Sequence, residues 1–275
     1  HWLHPKQGTD AALAFAFGHV ILREFHVDNP SQYFTDYCRQ YSDMPLLVRL
    51  ERRADGRLVP ERFLRASDLG GLGESNNPEW KTLAFDEKSD QVTVPNGSVG
   101  FRWGEKGKWN IEEKDSAGRE TRLRLSLKDA HDGIEAVSFP YFGGVEHDRF
   151  TASKFSDILE RHIPVRRLKL SDGKQWEVAT VYDLLLAHYG VDRGFGGGNV
   201  AANYDQDLPG TPAWQERITG VPRAEVIEIA REFADTAAKT RGRSMIIVGA
   251  GINHWYHNDM NYRGLINLLM MCGCV

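Results

Sequence analysis

The segment from Pro222 to Met271 constrains the chain most, because a helical stripe, an apolar run, a glycine turn and a second helical pattern follow one another there. Val226, Ile229, Ala230 and Phe233 recur at helical spacing behind Pro222, which suits a helix start. Arg241-Gly242-Arg243 ends that stripe, and Ser244 to Val248 has the length and apolarity of a buried strand. Gly249-Ala250-Gly251 then leads into a helix from about Asn258 to Met271. A helix, strand, loop and helix in this order predict an open α/β sheet. In such sheets ligands sit between a strand end and the next helix, where free N–H groups and the positive helix end point outward.

The opening of the chain repeats part of this pattern. Lys6-Gln7-Gly8-Thr9-Asp10 precedes a mostly apolar helix from Ala11 to Leu22, with Thr9 or Asp10 placed to cap it. A short aromatic helix from Ser31 to Tyr41 and a strand at Leu46-Leu47-Val48 follow. From Glu51 to about Asp148 the texture changes to short runs broken by turns, and Thr121 to Leu127 alternates strictly, which predicts small strands and hairpins. Leu159 to Leu170 and Val178 to Tyr189 then suggest a strand and a helix. The 275 residues, at roughly 150 per domain, suggest about two domains.

Charge and cysteine content narrow the partners. The balance of 34 basic against 38 acidic residues gives a net charge of -4, so no global positive field draws the chain to nucleic acid. Cys38, Cys272 and Cys274 match neither a disulfide framework nor a four-ligand zinc spacing. The helical pattern runs straight into Cys272-Gly273-Cys274-Val275 without a polar tail, which suggests an internal piece of a longer chain.

Two loops are candidate binding sites. At Gly249-Ala250-Gly251-Ile252-Asn253-His254 the glycines allow close approach of a phosphate or ring, and Asn253 and His254 add hydrogen-bonding groups; the alternative is a turn that needs glycine only for positive φ. Histidine stands where a dinucleotide fingerprint has its third glycine, and no acidic residue follows at about 20 residues, which disfavours NAD. At Gly8-Thr9-Asp10 the choice lies between helix capping and a carboxylate that accepts paired hydrogen bonds from guanine. His254 and His257 lack a third metal ligand nearby, and Arg102, Trp103, Lys106, Lys108 and Trp109 form a basic aromatic cluster best read as an exposed hairpin.

Residues 4–26 (HPKQGTDAALAFAFGHVILREFH), 29–45 (NPSQYFTDYCRQYSDMP), 97–110 (GSVGFRWGEKGKWN), 211–234 (TPAWQERITGVPRAEVIEIAREFA) and 242–275 (GRSMIIVGAGINHWYHNDMNYRGLINLLMMCGCV) resemble the catalytic alpha subunits of respiratory, membrane-bound nitrate reductases. These belong to the dimethyl sulfoxide reductase class of molybdenum enzymes. The resemblance implies an α/β fold made of parts of two Rossmann-like molybdopterin-binding domains, residues 1–50 and 216–275, with a β-rich insertion at 51–215 between them.

It further implies a molybdenum bis(molybdopterin guanine dinucleotide) cofactor. Gly8, Thr9 and Asp10 match the loop at a guanine end, and Gly249, Ala250, Gly251, Asn253 and His254 match the loop against a pterin. The [4Fe-4S] ligands and the molybdenum-ligating Asp of the family lie outside this piece. The implied function is quinol-driven reduction of nitrate to nitrite, through an iron–sulfur beta subunit and a haem-bearing membrane gamma subunit, on the cytoplasmic side of the membrane. Rival readings are a related enzyme for chlorate, perchlorate or selenate, and a noncatalytic interaction module.

Overall fold

Apolar stripes and turn signals resolve, in a computed structural model that describes residues 2–74, 76–96, 113–140 and 158–274, into helices and short strands. In chain order these are α1 (Asp10–Leu22), α2 (Gln32–Tyr41), β1 (Leu47–Arg52), β2 (Leu58–Phe63), β3 (Ala84–Phe85), β4 (Val92–Thr93) and β5 (Gly133–Pro140). They continue as β6 (Ile158–Lys169), β7 (Gln175–Thr180), α3 (Val181–His188), α4 (Pro212–Thr219), α5 (Arg223–Thr240) and α6 (Asn258–Met271). The basic aromatic cluster at 102–109 lies outside the described residues. The chain divides into two units: residues 1–35, 139–161 and 186–275 form one, 36–138 and 162–185 the other.

The first unit is helical. Its α1 is apolar on nearly every side, with Ala14, Ala16, Gly18, His19, Val20, Ile21 and Leu22 buried, as expected of a helix surrounded by others. Helices α4, α5 and α6 all pack on it. Val226, Ala230, Ala234 and Ala237 form the buried stripe of α5. Tyr189 is a fully buried wedge that stacks on Phe15 of α1 at 4.3 Å, and its hydroxyl accepts from Asn267 Nδ2 of α6 at 3.3 Å. Gly18 makes room for it, since a Cβ there would run into the Tyr189 ring. Arg161, 1% exposed, donates to the carbonyls of Asn199, Ala187, His188 and Pro209, so its charge is met by peptide dipoles on either side of the wedge.

The second unit is built on a closed barrel in the order β1-β2-β5-β6-β7. β1 pairs antiparallel with both β2 and β7, β6 with β7, and β2 runs parallel to β5. Closure removes free sheet edges. Leu47, Leu64, Leu83, Phe85, Leu127 and Val178 are among its buried core. Thr121, Leu123, Leu125 and Leu127 are buried while the residues between them are less so, which keeps the expected alternation, although among the described residues an isolated bridge from Leu123 to Asp86 is the only β-pairing of this segment.

The strand expected at Ser244 to Val248 does not form among the described residues. The segment has no ladder partner, and Met245 is 75% and Ile247 85% exposed. A central strand exists only through hydrogen bonds to neighbours on both sides and cover on both faces. An apolar run supplies neither, so the Rossmann-like sheet expected here is not present within the described residues.

Candidate functional site

Both candidate loops open helices of the helical unit. Gly8 has φ 77, a left-handed conformation that glycine adopts without a Cβ clash. The Thr9 N–H and hydroxyl both donate to the Lys6 carbonyl, at 3.2 and 2.6 Å. Thr9 therefore occupies the N-cap position of α1 but makes no side-chain cap. Asp10 is the first residue of α1, where the helix dipole favours a carboxylate, and its carboxylate forms no hydrogen bond or ion pair with another described residue.

The second loop is a single tight turn over Ala250–His254, followed by α6. Gly249 and Gly251 are not among the positive-φ residues, and a Cβ added to either meets nothing within 4 Å. Backbone conformation and internal crowding thus leave glycine unexplained at both positions, and the open space lies outside the loop. Asn253 anchors the turn: its carbonyl accepts from Asn258 Nδ2 at 3.1 Å, and its side-chain oxygen accepts from the Tyr262 hydroxyl. Gly249, Ala250, Gly251, Asn253 and His254 are all exposed. Like α1, α6 begins without a side-chain cap.

Packing brings the two helix starts to one end. Gly264 of α6 lies against Ala14, since a Cβ on it would stand 3.0 Å from that methyl group. Just beyond the end of α1, His26 Nε2 meets the carbonyl of Met271, the last residue of α6, at 3.0 Å. Increasing numbers on one therefore match increasing numbers on the other, and α1 and α6 run parallel. The Ala12 and Met260 N–H groups donate to the Thr9 and His257 carbonyls at 3.0 Å, while the N–H groups of the first two residues of each helix and the positive dipole ends face the same way, an arrangement suited to an anion.

Among the described residues of this unit two buried side-chain atoms have no hydrogen-bond partner: Asn261 Nδ2, on a residue 2% exposed in the first turn of α6, and His19 Nε2. His19 is fully buried, and its Nδ1 lies 2.7 Å from the Tyr189 carbonyl. Burial pulls its pKa down to about 4, so it is neutral near pH 7. Asn261 was not singled out by sequence motifs, although a polar residue on the stripe that continues through Leu268 and Met271 is itself a signal. Among the described residues there is no group of three or more His, Cys, Asp or Glu able to hold a metal, and no helix long and apolar enough to cross a membrane.

The sequence profile of molybdopterin oxidoreductases matches residues 1–275. The chain belongs to the molybdopterin oxidoreductase family. It is 62% identical to the respiratory nitrate reductase 2 alpha chain of Escherichia coli over 100% of its own length and 22% of the relative's. The nitrate reductase alpha chain of Bacillus subtilis is 42% identical over 99% of this chain and 21% of its own length. The perchlorate reductase subunit alpha of Dechloromonas aromatica is 27% identical over 99% and 22%. Membership of the molybdopterin oxidoreductases implies a molybdenum–pterin cofactor.

Proposed function

We propose that the chain is part of the catalytic alpha subunit of a respiratory nitrate reductase, which reduces nitrate to nitrite by oxygen-atom transfer at a molybdenum centre. The observation that carries this reading is the 62% identity to a respiratory nitrate reductase alpha chain across the whole chain. A second nitrate reductase alpha chain stands at 42% and the perchlorate reductase relative at 27%, which favours nitrate over perchlorate.

The residues present fit a phosphate-bearing pterin nucleotide. Parallel helix starts without side-chain caps, glycine backbone open on its outer side, and a buried amide donor without a partner all suit an anionic group. A molybdenum bis(molybdopterin guanine dinucleotide), when bound, supplies the redox and oxygen-transfer chemistry, while the protein binds and orients. In this reading Gly8 and Thr9 shape the loop at a guanine end, and the Asp10 carboxylate accepts its paired N–H groups. Gly249, Ala250 and Gly251 let a pterin approach the backbone, Asn253 holds the turn, and His254 offers a hydrogen bond to the pterin.

Residues 1–50 and 216–275 then belong to two Rossmann-like domains flanking an insertion at 51–215, and Ser244 to Val248 becomes a strand once neighbours from a longer chain cover it. The [4Fe-4S] cluster takes its ligands from outside this chain. Quinol supplies electrons through an iron–sulfur beta subunit and a haem-bearing gamma subunit, with the alpha subunit peripheral on the cytoplasmic side of the cell membrane.

The test is nitrite formation from nitrate by the complete protein with a reduced viologen donor, together with its molybdenum content. Nitrite production is expected, and Asp10→Ala should lower molybdenum retention in a folded protein. Reduction of another oxyanion but not nitrate selects the rival enzyme, and a complete protein without molybdenum selects the noncatalytic reading. Full occupancy in folded Asp10→Ala removes the guanine role of Asp10.

A further inference from the structure

We propose that Asn261 is a ligand-binding residue whose side-chain amide donates a hydrogen bond to an anionic phosphate oxygen held between the starts of α1 and α6. This rests on the molybdopterin reading above and adds to it a contact that neither loop contains. Asn261 lies on the buried stripe of α6, one turn before Gly264, which meets Ala14 of α1. It is 2% exposed, yet Nδ2 has no hydrogen-bond partner. In a helix the Cα–Cβ bond tilts toward the N-terminus, so this side chain leans toward the end where the two loops lie.

A buried donor left unmet is costly, and natural proteins leave few of them. The unmet donor lies in the first turn of α6, which packs parallel to α1, so two positive helix ends lie side by side. Each has one carboxylate in its first turn, Asp10 or Asp259, and a phosphate oxygen is an acceptor suited to those helix ends. A carboxylate would satisfy the charge, but Asp10 already occupies the first turn of α1, and a phosphate oxygen offers the acceptor without adding a further protein group.

The test compares Asn261→Leu and Asn261→Asp with wild type in the complete protein, produced in cells that make the molybdenum cofactor and in cells that cannot. Leucine removes the donor at similar volume, and aspartate replaces it with an acceptor of the same shape. Both variants should lose molybdenum and guanine nucleotide on dialysis about tenfold faster or more, the effect of removing one charge-assisted hydrogen bond. Cofactor-free Asn261→Leu should melt at or above the temperature of the cofactor-free wild type, because an unmet buried donor has gone.

Unchanged cofactor retention in both variants overturns the assignment. So does faster loss that only parallels a lower melting temperature of the cofactor-free form, and so does failure of both variants to fold. Wild-type protein that carries no pterin nucleotide overturns the molybdopterin reading itself, and Asn261's role with it.

Discussion

The barrel unit and the helical unit treat buried polar groups differently. In the barrel unit Asp183 is fully buried, and its carboxylate accepts from the Ser126 hydroxyl, the Leu127 N–H and the Thr180 hydroxyl at 2.7 to 2.8 Å. Thr180 in turn accepts from the Asp183 N–H at 3.0 Å, so one reciprocal set fixes the start of α3. Unpaired atoms remain there too, but Arg124 and Arg166 reach Asp90 through their other nitrogens, and the third is the Thr121 hydroxyl. In the helical unit the buried charge of Arg161 is met by carbonyls, and the buried imidazoles carry no charge. His19, His26 and His188 are held neutral by burial, assisted at His188 by the charge of Arg161, and Asn261 is left with an unmet donor. Among the described residues both units keep unmet buried atoms, but in the barrel unit two of them belong to arginines paired through other nitrogens, whereas Asn261 Nδ2 is an unmet donor at a helix start.

Acid should separate the two most strongly. The three buried imidazoles have pKa values lowered from 6.5 to about 4, so between those values the unfolded chain binds protons that the folded one refuses. Stability therefore falls as pH falls, beginning near the unfolded pKa and ending near the folded one, by on the order of 2 kcal/mol per histidine near pH 5. Hydrogen exchange at about pH 5 and pH 7 checks this: protection around α1 and α6 should drop on acidification more than protection around Asp183. Earlier opening of the barrel unit would break the comparison.

Asp183→Ala tests the other side of it. The substitution leaves the Ser126 and Thr180 hydroxyls and the Leu127 N–H without their acceptor and creates a small cavity, a loss of about 3 kcal/mol. Urea denaturation of the complete protein measures it. A loss below about 1 kcal/mol would mean that water replaces the carboxylate and that the barrel unit is less self-contained than its hydrogen bonds indicate.

What was legible in the sequence follows the range of the forces involved. The helix at Asn258–Met271 and the apolar character of α1 depend on local periodicity and emerged as read. Thr121 to Leu127 kept its alternation because burial on one side is set by the residues themselves, even though its ladder is reduced to one bridge. Ser244 to Val248 failed as a strand because strands require partners, which no local pattern provides. Closure of the barrel was equally hidden, since it depends on β1 meeting β7 well over a hundred residues later along the chain.

The site was half legible. Glycines before helix starts mark where a backbone can be approached, but local sequence does not say that α1 and α6 lie parallel. That is a property of distant contacts at Gly264 and His26, and it turns two ordinary loops into one candidate site. The assigned roles of Asp10 and His254 came from family resemblance rather than from spacing.

The smallest expected effect concerns Thr9, and it bears on whether the start of α1 is open. Thr211 caps α4 in the usual way, its hydroxyl accepting from the Trp214 N–H at 3.1 Å. Thr9 holds the same position on α1, but its hydroxyl is spent on the Lys6 carbonyl. Thr211→Ala should therefore cost about 1 kcal/mol and Thr9→Ala only a few tenths, read as a difference in urea midpoint in the complete protein. Equal losses would mean that Thr9 does cap α1, and the first-turn N–H groups facing the start of α6 would then not be free for an anion.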